Sequence, residues 1–292
     1  MKLTDLWQSA GKPTLSFELF PPRSEKQAGK LPGVIDTLAG LKPDFVSVTF
    51  GAGGSTREGS LRLVEFLGKQ KGLEVLAYFA GYGLGPDAIA AVLDDYRSAG
   101  VENVLLVRGD PPQEGGFEPH PESPEHASDL VTLVRPRYDF CIGVAGYPEG
   151  HVESSGPEED LAYLKLKMDQ GAQFVIANYF YDNQFFFNFV DRCRRAGLRM
   201  PILPGVMPIY SRKMLKILAD LCGATITEQV HQGLAGVPED DNEALLDFGI
   251  EFAADQCREL LGAGVPGIHI YTMDRSKSAV GIVNRLRGEG LL

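Results

Sequence analysis

Eight short runs of apolar, β-branched and aromatic residues recur along the chain: TLSFELF (14–20), DFVSVTF (44–50), LEVLAYFAG (73–81), NVLLVRG (103–109), FCIGVAGYP (140–148), FVIANYF (174–180), PILPGVMP (201–208) and GIHIYTM (267–273). Each predicts a β-strand. Between them lie longer stretches with helical patterning, among them PDAIAAVLDDYRSAG, SPEHASDLVTLV, EEDLAYLKLKMDQGA, NQFFFNFVDRCRRAG and NEALLDFGIEFAADQCRELLGAG. Several stop at a glycine, at Ala99-Gly100, Gly171-Ala172, Ala196-Gly197 and Ala263-Gly264, a usual helix C-terminal signal. Strand–helix alternation implies parallel strands joined by right-handed crossovers. Eight such units in 292 residues fit an α/β protein of the (β/α)8 TIM-barrel type better than an open sheet. The interval between strands seven and eight is longer than the rest and predicts an additional helix or loop. No composition break divides residues 1–292, so a single barrel domain is expected.

In such a barrel the reactive groups sit at the C-terminal ends of the strands and in the loops that follow. That places Glu18 within strand one, Thr49 at the end of strand two, Tyr78 in strand three and Arg108 and Asp110 at the end of strand four. Tyr147 ends strand five, Asn178 lies in strand six and Arg275 follows strand eight. Glu18 alternates with Phe17 and Leu19, so it faces away from them. A carboxyl inside a barrel is costly unless neutralised, paired or kept for chemistry. A buried acid with a raised pKa suits a general acid near neutral pH; a salt bridge to a strand-end arginine is the alternative. Arg108 and Asp110 share strand parity and are expected on one side, the arginine suited to a phosphate or carboxylate and the aspartate to a polar ring edge. Arg108-Gly109-Asp110 also spells an adhesion signal, but the apolar strand before it predicts a cleft mouth rather than an exposed loop tip.

Charge narrows the ligand class. A net charge of −11 argues against nucleic acid, and a phosphorylated ligand would need a local positive site. Lys167 lies seven residues beyond Asp160, on nearly the same helical face, and with Arg108 could supply that charge for a pyrophosphate. The acidic cluster PEDDNEA (238–244) reads as a solvated helix entry. FGAGGST (50–56) follows a strand but lacks a full dinucleotide fingerprint, and reads as a βα loop touching a ligand. His120 and His126 stand near Glu122 and Glu125, but nothing fixes a metal geometry; no metal is expected. His269 reads as an interior histidine, and the aromatic run at 178–189 as helix packing whose first residues could stack on a flat ligand. Cys141, Cys193, Cys222 and Cys257 have no paired spacing and read as free thiols. With no membrane-length apolar run and no secretory signal, a cytoplasmic protein is expected.

Seven of these stretches, LSFELFPPR, FVSVTFGAGGSTRE, VRGDPP, GYPEGHVES, DLAYLKLKMDQGA, ILPGVMP and HIYTMDRS, occur in the order found in methylenetetrahydrofolate reductases. The resemblance runs from about residue 14 to about residue 280, and the chain looks like the bacterial form, without the regulatory domain of eukaryotic members. It implies non-covalent FAD, ping-pong hydride transfer from NADH or NADPH to 5,10-methylenetetrahydrofolate, and a homo-oligomer. By that resemblance Glu18 is the acid that opens the folate's imidazolidine ring, and Asp110 lies by the flavin's pyrimidine edge and the pterin. Thr49, Ala52, Tyr78, Arg108, Gly109, Asp110, Ala127, Tyr147, His151, Asp160 and Lys167 fall at cofactor positions; Asn178 and Arg275, with Glu18 and Asp110, fall at substrate positions.

The chain departs from the family at several of them. Ala77-Tyr78-Phe79-Ala80 stands where a P-H-L-T motif is usual, and Asn178 replaces a glutamine. Met214 replaces a folate-contacting glutamine, Leu166 an arginine, and Tyr163 a polar residue. Each lost polar contact weakens binding by roughly 1 kcal/mol, so cofactor affinity or the electron donor could differ. Three other readings stand beside this one: a related flavin barrel oxidising another amine of the proline or pyrroline type, a folate-binding partner subunit without turnover, and an adhesion protein.

Overall fold

The computed structural model describes residues 1–9, 11–50, 57–111 and 117–292. Eight parallel strands close into one barrel in chain order: β1 (Thr14–Leu19), β2 (Phe45–Val48), β3 (Val75–Ala80), β4 (Asn103–Val107), β5 (Cys141–Gly146), β6 (Phe174–Ala177), β7 (Ile202–Val206) and β8 (Gly267–Tyr271). Every strand falls inside its predicted run and stops short of the run's end. The polar residues expected at strand ends therefore start the loops. Thr49, Arg108, Tyr147 and Asn178 each lie just past the last residue of their strand.

The pleat sorts side chains into two cores. Outward residues such as Phe17, Leu19, Val46, Val48, Phe79, Val104 and Ile270 pack under the surrounding helices. Inward residues Phe45, Leu76, Leu105, Cys141, Phe174, Ile176 and Leu203 fill the barrel. Phe174 fills so much of it that a Cβ on Gly143, its pairing partner on β5, would come within 2.3 Å of the Phe174 ring. Glycine at 143 is thus the space the ring occupies.

A helix that sequence patterning did not predict, α1 (Leu3–Ser9), closes the N-terminal end of the barrel. Leu3 is fully buried and Trp7 packs edge-on against Phe45 and Phe174. Asn103, at the start of β4, accepts from the Leu3 amide at 2.8 Å and donates to the Met1 carbonyl at 2.9 Å. An amide buried at a strand start would be costly unpaired; here the plug helix satisfies it.

The crossover helices are α2 (Glu25–Gly40), α3 (Arg57–Glu65), α4 (Pro86–Ser98), α5 (Ala127–Val134), α6 (Pro157–Asp169) and α7 (Asn183–Arg195). The long interval after β7 holds three helices, α8 (Arg212–Cys222), α9 (Glu228–Ala235) and α10 (Asn242–Gly262), before β8 and α11 (Ser276–Gly288). The acidic cluster is indeed a helix entry: Asp241 caps α10 by accepting from the amides of Glu243 and Ala244. Cys141, Cys193 and Cys257 are buried and Cys222 half-buried, all as free thiols. Among the described residues no helix is long and apolar enough to cross a membrane.

Candidate active site at the C-terminal mouth of the barrel

Glu18 points inward from β1, level with Ser47 on β2 and Tyr271 on β8. Only 5% of it is exposed. Burial, which penalises the charged form, raises its pKa to about 8. The Tyr78 hydroxyl, within hydrogen-bonding reach from β3, acts against that rise, and Asp274 adds to it. The alternative of a structural salt bridge is not what the fold builds: the groups that shift Glu18 include no cation among the described residues. At neutral pH the carboxyl carries its proton.

Tyr78 is half-buried and hydrogen-bonds toward Ser47 as well as Glu18, so its hydroxyl serves the barrel interior. One layer below, His269 is fully buried between Ser16 (2.8 Å) and Ser47 (3.2 Å) and stacks on Phe45. Burial drops its pKa to about 3, which makes it a neutral, satisfied interior histidine.

Beside the barrel mouth, the ends of β4 and β5 and the helices α5 and α6 line a cleft with a cavity volume of about 200 Å3, open to solvent. It gathers six residues expected at a cofactor site: Arg108, Ala127, Tyr147, His151, Asp160 and Lys167. Lys167 donates from Nζ to the Ala145 carbonyl at 2.9 Å. Burial lowers its pKa to about 8, with Asp160 opposing the drop. Asp160 is itself buried, and its pKa is raised by burial, with Lys167 and His151 opposing. His151 packs edge-on against Tyr147 at 4.6 Å between centroids. On the outer wall His126 stacks on Tyr163, one of the residues at which the chain departs from the expected pattern. Leu166, another, is exposed on the same helix.

Arg108 has a partner that sequence reasoning missed. Its guanidinium forks onto the Glu153 carboxylate at 2.5 and 3.0 Å, and Glu153 also lines the cleft. No spacing rule links residues on different loops, so only the fold reveals the pair. Asp110 is 84% exposed, with an oxygen 3.9 Å from Arg108. Strand parity does not carry from Arg108 to Asp110, because β4 ends at Val107 and Gly109 takes a left-handed φ of 84°. The RGD arginine thus belongs to the cleft while its aspartate faces solvent at the rim.

The remaining candidates ring the mouth. Thr49 is half-buried, and its carbonyl accepts from Ser60 at 2.9 Å. Asn178 lies beside Tyr147 and Tyr179, its Oδ1 accepting from the Tyr179 amide. Met214 sits in the first turn of α8, its amide capped by Ser211. The Arg275 guanidinium lies over the Tyr210 ring at 5.4 Å. Ala52 and most of the 50–56 loop lie outside the described residues. Among the described residues no group of three or more His, Cys, Asp or Glu could hold a metal ion.

The family profile of methylenetetrahydrofolate reductase matches residues 2–287. Methylenetetrahydrofolate reductase (NADH) 1 of Arabidopsis thaliana is 36% identical over 98% of this chain and 51% of its own length. The 5,10-methylenetetrahydrofolate reductase of Escherichia coli K12 is 36% identical over 94% of this chain and 91% of its own. The chain therefore spans about half the length of the plant relatives and most of the bacterial one. Among solved structures, an uncharacterized protein from Clostridium thermocellum that binds two copies of 5-methyl-5,6,7,8-tetrahydrofolic acid superimposes with a TM-score of 0.66 at 15% identity, covering 97% of this chain and 96% of that one. An oxaloacetate acetylhydrolase matches at a TM-score of 0.53 and 14% identity, covering 99% of this chain and 86% of that one. At such identities these two likenesses concern the barrel alone.

Proposed function

Because the chain belongs to the methylenetetrahydrofolate reductase family, we propose that it reduces 5,10-methylenetetrahydrofolate to 5-methyltetrahydrofolate, with FAD in the β4–β5 cleft and NADH or NADPH as donor. The observation that carries this reading is Glu18: a buried carboxyl, protonated at neutral pH, at the mouth of a barrel beside a cleft that contains two cationic side chains.

The cleft residues fit a flavin dinucleotide. A pyrophosphate needs fixed positive charge and N–H donors, and Arg108 and Lys167 are the cations lining this cleft. Only one of the three Lys167 donors is drawn off by the Ala145 carbonyl. Tyr147 and His151 offer ring edges and faces to flat groups. FAD, when bound, would relay the hydride from the nicotinamide to the folate. The chain's own task is then proton management and placement. Glu18 delivers its proton to the folate ring nitrogen as the one-carbon bridge opens, and the low polarity around it keeps that proton available near pH 7. Asn178 and Arg275 stand at the mouth to orient the folate, and Asp110 at the rim contacts the pterin.

The test is an anaerobic titration of the FAD-loaded protein with 5-methyltetrahydrofolate, followed in the visible spectrum. Bleaching of the flavin band is expected. A flavin band unchanged by the folate, in protein that does bind FAD, would overturn the reading.

The ion pair at Arg108 adds a second expectation. Arg108→Gln removes a charge-assisted contact of about 1.5–3 kcal/mol, weakening FAD binding by roughly 10- to 100-fold. Glu153→Gln acts in the opposite direction, because it frees the guanidinium from its bidentate partner. Flavin fluorescence titration reads both; equal weakening by the two variants would assign Arg108 a role in holding the loop rather than the cofactor.

A further inference from the structure

A second acid stands at the head of the barrel, and the backbone is shaped to hold it there. After β8 the chain turns through Thr272, Met273 and Asp274, the last two with left-handed φ of 48° and 53°. Thr272 Oγ1 donates to the Glu18 carbonyl at 2.6 Å and accepts from the Asp274 amide at 3.1 Å. Asp274 Oδ1 accepts from the Phe20 amide at 3.1 Å. Asp274 is thus tied to the β1 backbone at two points just past the Glu18 side chain, at the Glu18 carbonyl through Thr272 and at the Phe20 amide directly. Left-handed backbone is uncommon for residues other than glycine, and asparagine and aspartate tolerate it best.

We propose that Asp274 is a positioning residue for the proposed reaction: the Thr272 turn fixes its carboxylate near Glu18, and its negative charge adds to burial in disfavouring ionisation of Glu18. The proposal rests on the reading of Glu18 as the folate's acid. Two carboxyl groups sharing a poorly hydrated site resist double ionisation, and the more deeply buried one retains its proton. Glu18 is the more buried of the two; Asp274 is half-buried. Burial raises Asp274 to about 6, with its Phe20 hydrogen bond opposing, so it is ionised at neutral pH. Glu18, at about 8, is not.

Among the described residues, the other titratable side chains that interact with Glu18 are tyrosines: Tyr78 from β3, Tyr271 from β8, and Tyr210 from the segment after β7; His269, one layer below against the Tyr271 ring, is kept neutral by burial. All three tyrosines have pKa values pushed up by burial and stay neutral, so Asp274 supplies the negative charge at neutral pH. Arg275, its neighbour in sequence, is turned to the Tyr210 ring.

Asp274→Asn tests this with little change of shape, since asparagine keeps an acceptor for Phe20 and tolerates the left-handed backbone. The C=O stretch of protonated Glu18, assigned by its loss in Glu18→Gln, is followed by infrared spectroscopy against pH in the full-length, FAD-loaded protein. The band is expected to vanish at lower pH in Asp274→Asn than in the parent. The alkaline limb of the folate half-reaction is expected to move the same way. Below about pH 6, where Asp274 is itself protonated, the two proteins should coincide. If Asp274→Asn does not fold, Asp274→Gly, whose backbone accepts the same φ, gives the same reading. A band and a limb that stay where they are in the parent would overturn the proposal. A parent whose band titrates near pH 8 but which does not exchange electrons with the folate would overturn the functional reading instead, leaving the coupling of the two acids to stand or fall on the band alone.

Discussion

Glu18→Gln is expected to slow reduction of the folate by roughly 100- to 10,000-fold, the usual contribution of a general acid, while flavin reduction by the nicotinamide stays near the parent rate. The separation follows from position: Glu18 is in the barrel interior, and the cleft that contains Arg108 and Lys167 does not include it. Stopped-flow measurement of the two half-reactions checks it; equal loss in both would count against a role confined to the folate. The same substitution has a sign on stability that rules out simple misfolding. A carboxyl whose pKa is raised to about 8 in the folded state, from 4.5, favours the fold while protonated and loses that advantage as pH rises from about 4.5 through 8. Glutamine never ionises. The variant should therefore match the parent in thermal melts at low pH and exceed it at pH 9.

Phe174→Ala is expected to cost about 3–5 kcal/mol of folding stability, the range for removing a buried phenylalanine. The ring is fully buried, and it fills the space that glycine leaves at 143 and packs against Trp7 of the plug. Neighbours fixed by the strand ladder cannot collapse into the gap, so the upper part of the range is expected. Urea unfolding measures it. A loss below about 1 kcal/mol would mean that α1 slides inward to refill the space.

The barrel was readable because parallel strands covered by helices are apolar on both faces, so each appears as an unbroken run between amphipathic stretches. The inward direction of Glu18 was equally readable, since the period of two holds throughout a six-residue strand. Asp110 shows where that logic ends. It lies past the end of β4, beyond a left-handed glycine, where parity has no meaning. The gathering of Arg108, Tyr147, His151, Asp160 and Lys167 into one cleft followed from family resemblance, with local spacing giving only the Asp160–Lys167 face. Glu153 on Arg108 and Asp274 near Glu18 gave no signal, because each pairing joins residues far apart in the chain through a loop whose course no local pattern sets. Helix α1 was missed for a related reason. Seven residues hold too few turns for a period to emerge, and its apolar face is defined only by the barrel floor it meets.

That floor also provides an optical probe. Trp7 is the chain's single tryptophan, and its ring rests on Phe45 from β2 and Phe174 from β6. Its emission therefore reports an event, the closing of strands far apart in sequence into a ring, and not the formation of any one helix. In a refolding experiment the helical circular dichroism should recover before the tryptophan signal, because local contacts form ahead of distant ones. The first helix of the chain would be among the last to find its place.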